Sequence, residues 1–119
     1  MTRKEIRLRL FEGLRRAVDA ADDPAIVASD DGGSCNLDTP MFAVARCPEA
    51  VIEEAAQAAG VLVSHWKHGN HRGWALSARW RGQGNRRTRQ MEAVLSALRH
   101  DQQLQEIPGF SCWGHYAMD

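Results

Sequence analysis

Apolar residues near the N-terminus recur every three or four positions, which predicts a helix over residues 3 to 21. Thr2 followed by Glu5 forms a capping-box pattern at the start of this helix. Most of the arginines in the segment fall outside the apolar stripe, and a solvated charged face is the simplest interpretation, ahead of a binding role. The stripe consists of Ile6, Leu10, Leu14, Ala17, Val18 and Ala21.

The middle of the chain carries patterns typical of strands. Residues 41–46 predict a first strand, and residues 61–66 and 73–81 predict two more. Gly69 and Asn70 lie between the latter two, which favours a hairpin. In the third strand every second residue is apolar, so one face should point inward: Trp74, Leu76, Ala78 and Trp80.

Two further helices and a last strand complete the pattern. Pro48 is suited to the first turn of a helix that runs to about Ala59, and Gly60 marks its end. Residues 86–100 repeat the helical spacing, and residues 110–118 predict a final strand. The order αβαββαβ predicts a single α+β domain over residues 1–119, with a mostly antiparallel sheet and helices packed on one face.

Composition and charge narrow the function classes. Fifteen basic and fifteen acidic residues give zero net charge, whereas a general nucleic-acid coat protein carries excess positive charge, so nucleic acid is an unlikely partner. No segment is long and apolar enough for a membrane span, and residues 1–9 lack the apolar centre of a signal peptide, which predicts a cytoplasmic location. The three cysteines form no CxxC pair, which argues against a disulfide framework and a zinc knuckle.

The most distinctive segment is Arg81–Arg89, in which two glycines precede a predicted helix start and four arginines surround it. Helix N-termini expose unpaired N–H groups, glycine lets a phosphate approach the backbone, and arginine supplies charged donors. The spacing does not match a Walker phosphate loop or a dinucleotide fingerprint. We therefore predict an anion site here, the alternative being a solvated arginine cluster; its residues would be Asn85, Arg86, Arg87, Thr88 and Arg89.

A second glycine-containing segment runs from Gly32 to Asp38. Asn36 and Asp38 have side chains that suit the polar edge of a base or the hydroxyls of a ribose, although sequence alone favours a turn in which they bond their own backbone. Among the four tryptophans, Trp80 is the best candidate for stacking on a base because it precedes the arginine segment. The other tryptophans are more simply explained as core residues.

Histidines at three-residue spacing raise the question of a metal site. His65, His68 and His71 lie at the end, tip and start of the predicted hairpin and do not obviously converge on one ion. A Cys–His nucleophile pair is formally possible, but nothing marks one cysteine as activated. We expect no metal, no cofactor and no enzymatic activity.

The two glycine-containing segments together resemble a known family. Residues 31–40 (DGGSCNLDTP) followed by residues 82–89 (GQGNRRTR) are similar to the phage Thoeris anti-defence sponge proteins, the first sponge family of this kind to be described, over most of the chain. The resemblance implies a protein of the infected bacterial host cell that sequesters cyclic ADP-ribose isomers without degrading them. Some members also hold cyclic oligonucleotides. It further implies dimers or assemblies of dimers with pockets between subunits, and a ligand contacted by Asn36, Asp38, Trp80, Asn85, Arg86, Arg87, Thr88 and Arg89.

Two other functions use the same residues. In a nucleic-acid-binding module, the arginines would contact backbone phosphates. In a phage inhibitor of a host protein, the arginines and tryptophans would form the centre of an interface.

Overall fold

A computed structural model describes residues 1–29, 32, 38–77 and 84–116. The helices are α1 (Arg3–Asp19), a 3-10 turn (Ala20–Asp22), α2 (Pro24–Val27), α3 (Glu49–Ala59), α4 (Gly84–His100) and α5 (Gln102–Gln105). The strands are β1 (Asp38–Val44), β2 (Val63–His68), β3 (His71–Leu76) and β4 (Phe110–Tyr116). None of the described helices is long and apolar enough to cross a bilayer.

The four strands form one antiparallel sheet in the order β2-β3-β1-β4. The chain passes from β1 through α3 to the β2-β3 hairpin, and then through α4 to β4 on the other side of β1. This connection is the split β-α-β arrangement called ferredoxin-like. The predicted α+β fold with a mostly antiparallel sheet is therefore confirmed.

The core lies between the helices and one face of the sheet. Phe42 in β1 pairs with Trp74 in β3 and with Cys112 in β4, so these three side chains point to the same face. They pack into one apolar cluster with the predicted helix stripes. Helix residues in the cluster include Leu10, Leu14, Ala17, Ile52, Ala55, Val94 and Leu98.

Local signals set several helix ends as predicted. The Thr2 hydroxyl accepts a hydrogen bond from the N–H of Glu5 at 3.1 Å, which caps α1. Gly60 ends α3 with a φ of 69°, in the left-handed region that glycine adopts at little cost. The prediction missed α5, which begins because Asp101 accepts a hydrogen bond from the N–H of Leu104 at 3.1 Å.

Several predicted boundaries shift by a few residues. Helix α4 begins at Gly84, two residues before the predicted start, and α1 ends at Asp19 before giving way to the 3-10 turn. Strand β2 begins at Val63, and β3 begins at His71 and ends at Leu76. Ala78 and Trp80, predicted to continue the buried face of β3, lie outside the described residues.

The arginines of α1 do more than form a solvated face. Arg7 lies 3.2 Å from Glu54 of α3, and Arg9 lies 2.6 Å from Glu106, directly after α5. Arg16 holds Asp101 by two hydrogen bonds of 2.9 and 3.1 Å. These ion pairs attach α1 to α3 and to the segment around α5.

Candidate functional site

The first turns of α4 carry the candidate arginines, and helical spacing divides them between two sides. Successive residues rotate by about 100°, so residues three or four apart share a side. Arg87 lies on the side that continues as Met91, Val94 and Leu98, all of which are buried. Arg87 itself is exposed because it stands in the first turn, before this side of the helix reaches the core.

Arg89 lies on the opposite side of α4. Its side of the helix carries Asn85, Glu92 and Ser96, all of which are exposed. Arg87 and Arg89 therefore point in nearly opposite directions. The expectation that one anion touches both arginines of a single protomer does not follow from this helix.

Arg86 joins the start of α4 to the segment after α1. Its Nε and a terminal nitrogen donate to the carbonyl oxygen of Ser29 at 2.8 and 2.5 Å. One turn further along, the side chain of the buried Gln90 donates to the carbonyl oxygen of Ala21 at 3.5 Å. Arg86 thus helps to position the helix terminus.

These contacts bring the borders of the two glycine-containing segments together. Ser29 immediately precedes the stretch that leads to Asp38, and Arg86 belongs to the other segment. In the sheet, Met41 pairs with Ala75, which sets the start of β1 beside the end of β3. The described residues at the borders of both segments consequently lie at one end of the sheet.

Two of the predicted ligand contacts lie outside the described residues, namely Asn36 and Trp80. Asp38 is the first residue of β1 and pairs in register with Tyr116. The hydroxyl of Thr88 donates to the carbonyl oxygen of Gly84 at 3.2 Å, a bond within the helix. Of the predicted set, the structure brings Arg86 and Arg87 to the inner side of the helix start and leaves Asn85 and Arg89 on the outer side.

The charge around the start of α4 favours an anion. The first turn of α4 contains no acidic residue, and its partial positive charge adds to that of the arginines. Within the described part of the chain, neither Arg87 nor Arg89 lies in a salt bridge. A phosphate at this position would therefore be attracted by both the helix terminus and the nearest guanidinium.

The described cysteines do not have the features of activated nucleophiles. Cys47 and Cys112 are free and half-buried, and burial raises the pKa of both thiols. A thiol with a raised pKa stays protonated at neutral pH and reacts slowly. Cys35 lies outside the described residues.

The predicted hairpin places the histidines on different faces of the sheet. His65 pairs with Trp74 on the helix-covered face and lies 3.7 Å from Glu49. His68 and His71 pair with each other on the opposite face. Across residues 1–29, 32, 38–77 and 84–116, no three potential metal ligands are grouped.

Comparison with known proteins identifies no relative. No protein-family model, curated protein or solved structure matches the chain.

A second candidate surface, which was not predicted from the sequence, lies on the face of the sheet opposite the described helices. The ring centroid of Trp66 lies 6.3 Å from that of Trp113 and 5.1 Å from that of His115. A cleft of about 400 Å³ lies beside the two indoles. Strand alternation could have placed each aromatic residue on a face, but only the strand order brings residues 66 and 113 together.

Proposed function

We propose that the chain binds a small phosphate-containing nucleotide at the start of α4 and holds it without chemical change. The observation that carries the proposal is the contact between Arg86 and the carbonyl oxygen of Ser29. This contact joins the arginine segment to Ser29, which lies three residues before Gly32 in the other glycine-containing segment. A ligand bound there would meet the N–H groups of the first turn of α4.

Arg87 is the residue best suited to contact the phosphate. It is exposed, it lies on the inner side of the first turn, and it has no salt bridge within the described residues. Arg86 acts as a positioning residue because its guanidinium donates to Ser29. Asn36, Asp38 and Trp80 remain the proposed contacts to the ribose and base.

The resemblance to the Thoeris anti-defence sponges supplies the first ligand to test. A cyclic ADP-ribose isomer carries a diphosphate for Arg87 and the helix terminus, together with an adenine and two riboses for the second segment. Such a protein would act in the infected bacterial cytoplasm by lowering the concentration of free signal. A homo-oligomer with pockets between subunits would bury more of the ligand than one protomer of 13.3 kDa.

Retention of the ligand separates sequestration from catalysis. The protein is mixed with an equal amount of the cyclic product of a bacterial TIR-domain enzyme, freed of unbound ligand and then heated. Sequestration predicts that the intact cyclic compound is recovered from the denatured protein by chromatography. Recovery of a linear product would show an enzyme, and recovery of no nucleotide would refute the proposed ligand.

A matched pair of variants tests the site by titration calorimetry. Arg87→Ala should weaken binding by about 1.5–3 kcal/mol, the cost of a lost hydrogen bond to a charged group. Arg89→Ala removes the same side chain from the outer side of the same helix and should change affinity by less than about 0.5 kcal/mol. Equal losses in both variants would contradict the geometry, and normal binding by Arg87→Ala would refute the site.

A further inference from the structure

The face of the sheet opposite the described helices has a tryptophan on each of its two edge strands, and three small residues lie beside them. Register places Trp66 of β2 beside Gly73 of β3, and places Ser111 of β4 beside Ala43 of β1. Trp113 lies two residues further along β4 and points to the same face. The two indoles thus approach each other, with a centroid distance of 6.3 Å, above a part of the sheet where Ala43 and Gly73 are small.

Trp113 extends across the sheet. A methyl group on Gly73 would lie 2.6 Å from Cη2 of this indole, so the ring passes over β1 and reaches β3. Met41, which pairs with Trp113 and points to the same face, is only 1% exposed. Trp66 and Trp113 themselves remain half-buried, and parts of both rings are accessible to a ligand.

The cleft beside the two indoles contains one arginine and is lined by no described carboxylate, although strand register pairs Arg72 with Lys67 on the other face of the sheet. Arg72 and His71 line the cleft beside Trp66 and Trp113. Among the described positions that register assigns to this face, none is Asp or Glu. These positions are Thr39, Met41, Ala43, Ser64, Trp66, His68, His71, Gly73, Ala75, Ser111, Trp113 and His115.

We propose that this face binds single-stranded nucleic acid, with bases stacked on Trp66 and Trp113 and a backbone phosphate near Arg72. Bases expose their flat surfaces only where they are unpaired, so a duplex would not engage the indoles. Four strands span about 15 Å, which is enough for two or three bases. Because the chain has zero net charge, we expect a small electrostatic contribution and a weak dependence of binding on salt.

This surface is separate from the proposed nucleotide site. The cleft is lined by residues near the end of β1 and the start of β4, such as Ala43 and Ser111. The start of α4 lies towards the opposite end of the sheet, beside the start of β1. Arg87→Ala should therefore leave binding to the sheet face unchanged, so the two proposals can fail independently.

Fluorescence anisotropy with labelled oligonucleotides of about ten nucleotides tests the proposal. Oligouridine and oligodeoxythymidine show whether RNA or DNA is preferred, and a duplex of the same length is the negative probe. Trp66→Ala should weaken single-strand binding about five-fold or more. Leu62→Ala, which removes another exposed apolar side chain just before β2, is the matched control and should bind as the wild type does.

A second variant, Ser111→Glu, tests the same face without removing an aromatic residue. Ser111 is exposed and lines the cleft, so Ser111→Glu should preserve the fold, as checked by circular dichroism, and repel the phosphate backbone. We expect at least a five-fold loss of affinity in this variant. Absence of single-strand binding at low salt, or wild-type binding by both Trp66→Ala and Ser111→Glu, would overturn the proposal. A wild-type dimer that Ser111→Glu converts to monomers, without oligonucleotide binding by either, would assign the face to a second copy of the chain instead.

Discussion

Helices α1 and α4 both begin in arginine-rich sequence, yet the fold uses the two sets of arginines differently. In α1, Arg7, Arg9 and Arg16 contact carboxylates of Glu54, Glu106 and Asp101. In the first turns of α4, no carboxylate of the described residues pairs with the exposed Arg87 and Arg89. The same residue type thus connects elements in one region and leaves positive charge unneutralised in the other.

The contrast shows that carboxylates on neighbouring elements decide what an arginine does. Arg16 and Asp101 form the best-defined pair, because two hydrogen bonds of 2.9 and 3.1 Å hold a carboxylate that is only 9% exposed. Burial by itself would raise the pKa of Asp101, but hydrogen bonds from Arg16 and from the N–H of Leu104 outweigh it, and the pKa is lowered. The ionised carboxylate therefore stabilises the fold.

The largest stability effect is expected where Asp101 connects α1 to α5. Asp101→Ala removes both the charge pair with Arg16 and the cap of α5, and should lower the free energy of unfolding by about 2 kcal/mol. Urea denaturation followed by circular dichroism measures this change. Asp101→Asn, which can still cap the helix, should lose about half as much. An unchanged midpoint for Asp101→Ala would mean that α1 is held by its apolar face alone.

The same carboxylate predicts a dependence on pH. The folded pKa of Asp101 lies below its unfolded value of about 3.9, so its contribution is complete above that pH and is lost as the pH falls through the folded pKa. Wild type should accordingly lose more stability than Asp101→Ala between about pH 5 and pH 2. Parallel urea midpoints for the two proteins over this range would contradict the assignment.

A smaller loss of stability is expected when Arg86 is substituted. Like the arginines of α1, this arginine of α4 connects its helix to another segment of the chain. Arg86→Ala removes the hydrogen bonds to the carbonyl oxygen of Ser29 and should cost about 1 kcal/mol. Hydrogen exchange should increase in α2 and at the start of α4 more than in the sheet. Uniform changes in exchange across the chain would show that the contact does not act locally.

Substitution of the exposed Arg87 should increase the free energy of unfolding, in contrast to the substitutions above. Arg87→Glu replaces a positive charge at a helix N-terminus with a negative one, which should stabilise the free protein by about 0.3–1 kcal/mol. The same substitution should abolish nucleotide binding. Thermal unfolding with and without nucleotide tests both parts. A destabilised free protein would mean that Arg87 serves the fold as the α1 arginines do.

The smallest effect is expected for the most exposed ion pair of α1. The side chains of Arg7 and Glu54 are 49% and 58% exposed, and such pairs contribute little because water and salt screen them. Arg7→Ala should change the free energy of unfolding by less than about 0.5 kcal/mol in urea denaturation. A loss as large as that of Asp101→Ala would remove the distinction between exposed and half-buried pairs.

Some features of the site could be predicted from sequence. The glycines before residue 86 indicated a helix start, and the helix begins at Gly84 with a φ of 53°. Once that start is known, helical spacing places Arg87 and Arg89 on different sides. The hydrogen bonds from Arg86 to the carbonyl oxygen of Ser29 could not be predicted, because the two residues are 57 positions apart.

The amino-acid sequence by itself determined the helix stripes, the Thr2 cap, the hairpin and hence the α+β class. These features depend on interactions between residues that are a few positions apart, and such interactions leave a periodic pattern. The tertiary structure decided which arginines meet carboxylates and how Trp66 and Trp113 approach each other across the sheet. Those contacts depend on strand order and register, which arise only when the apolar faces of all the elements pack into one core.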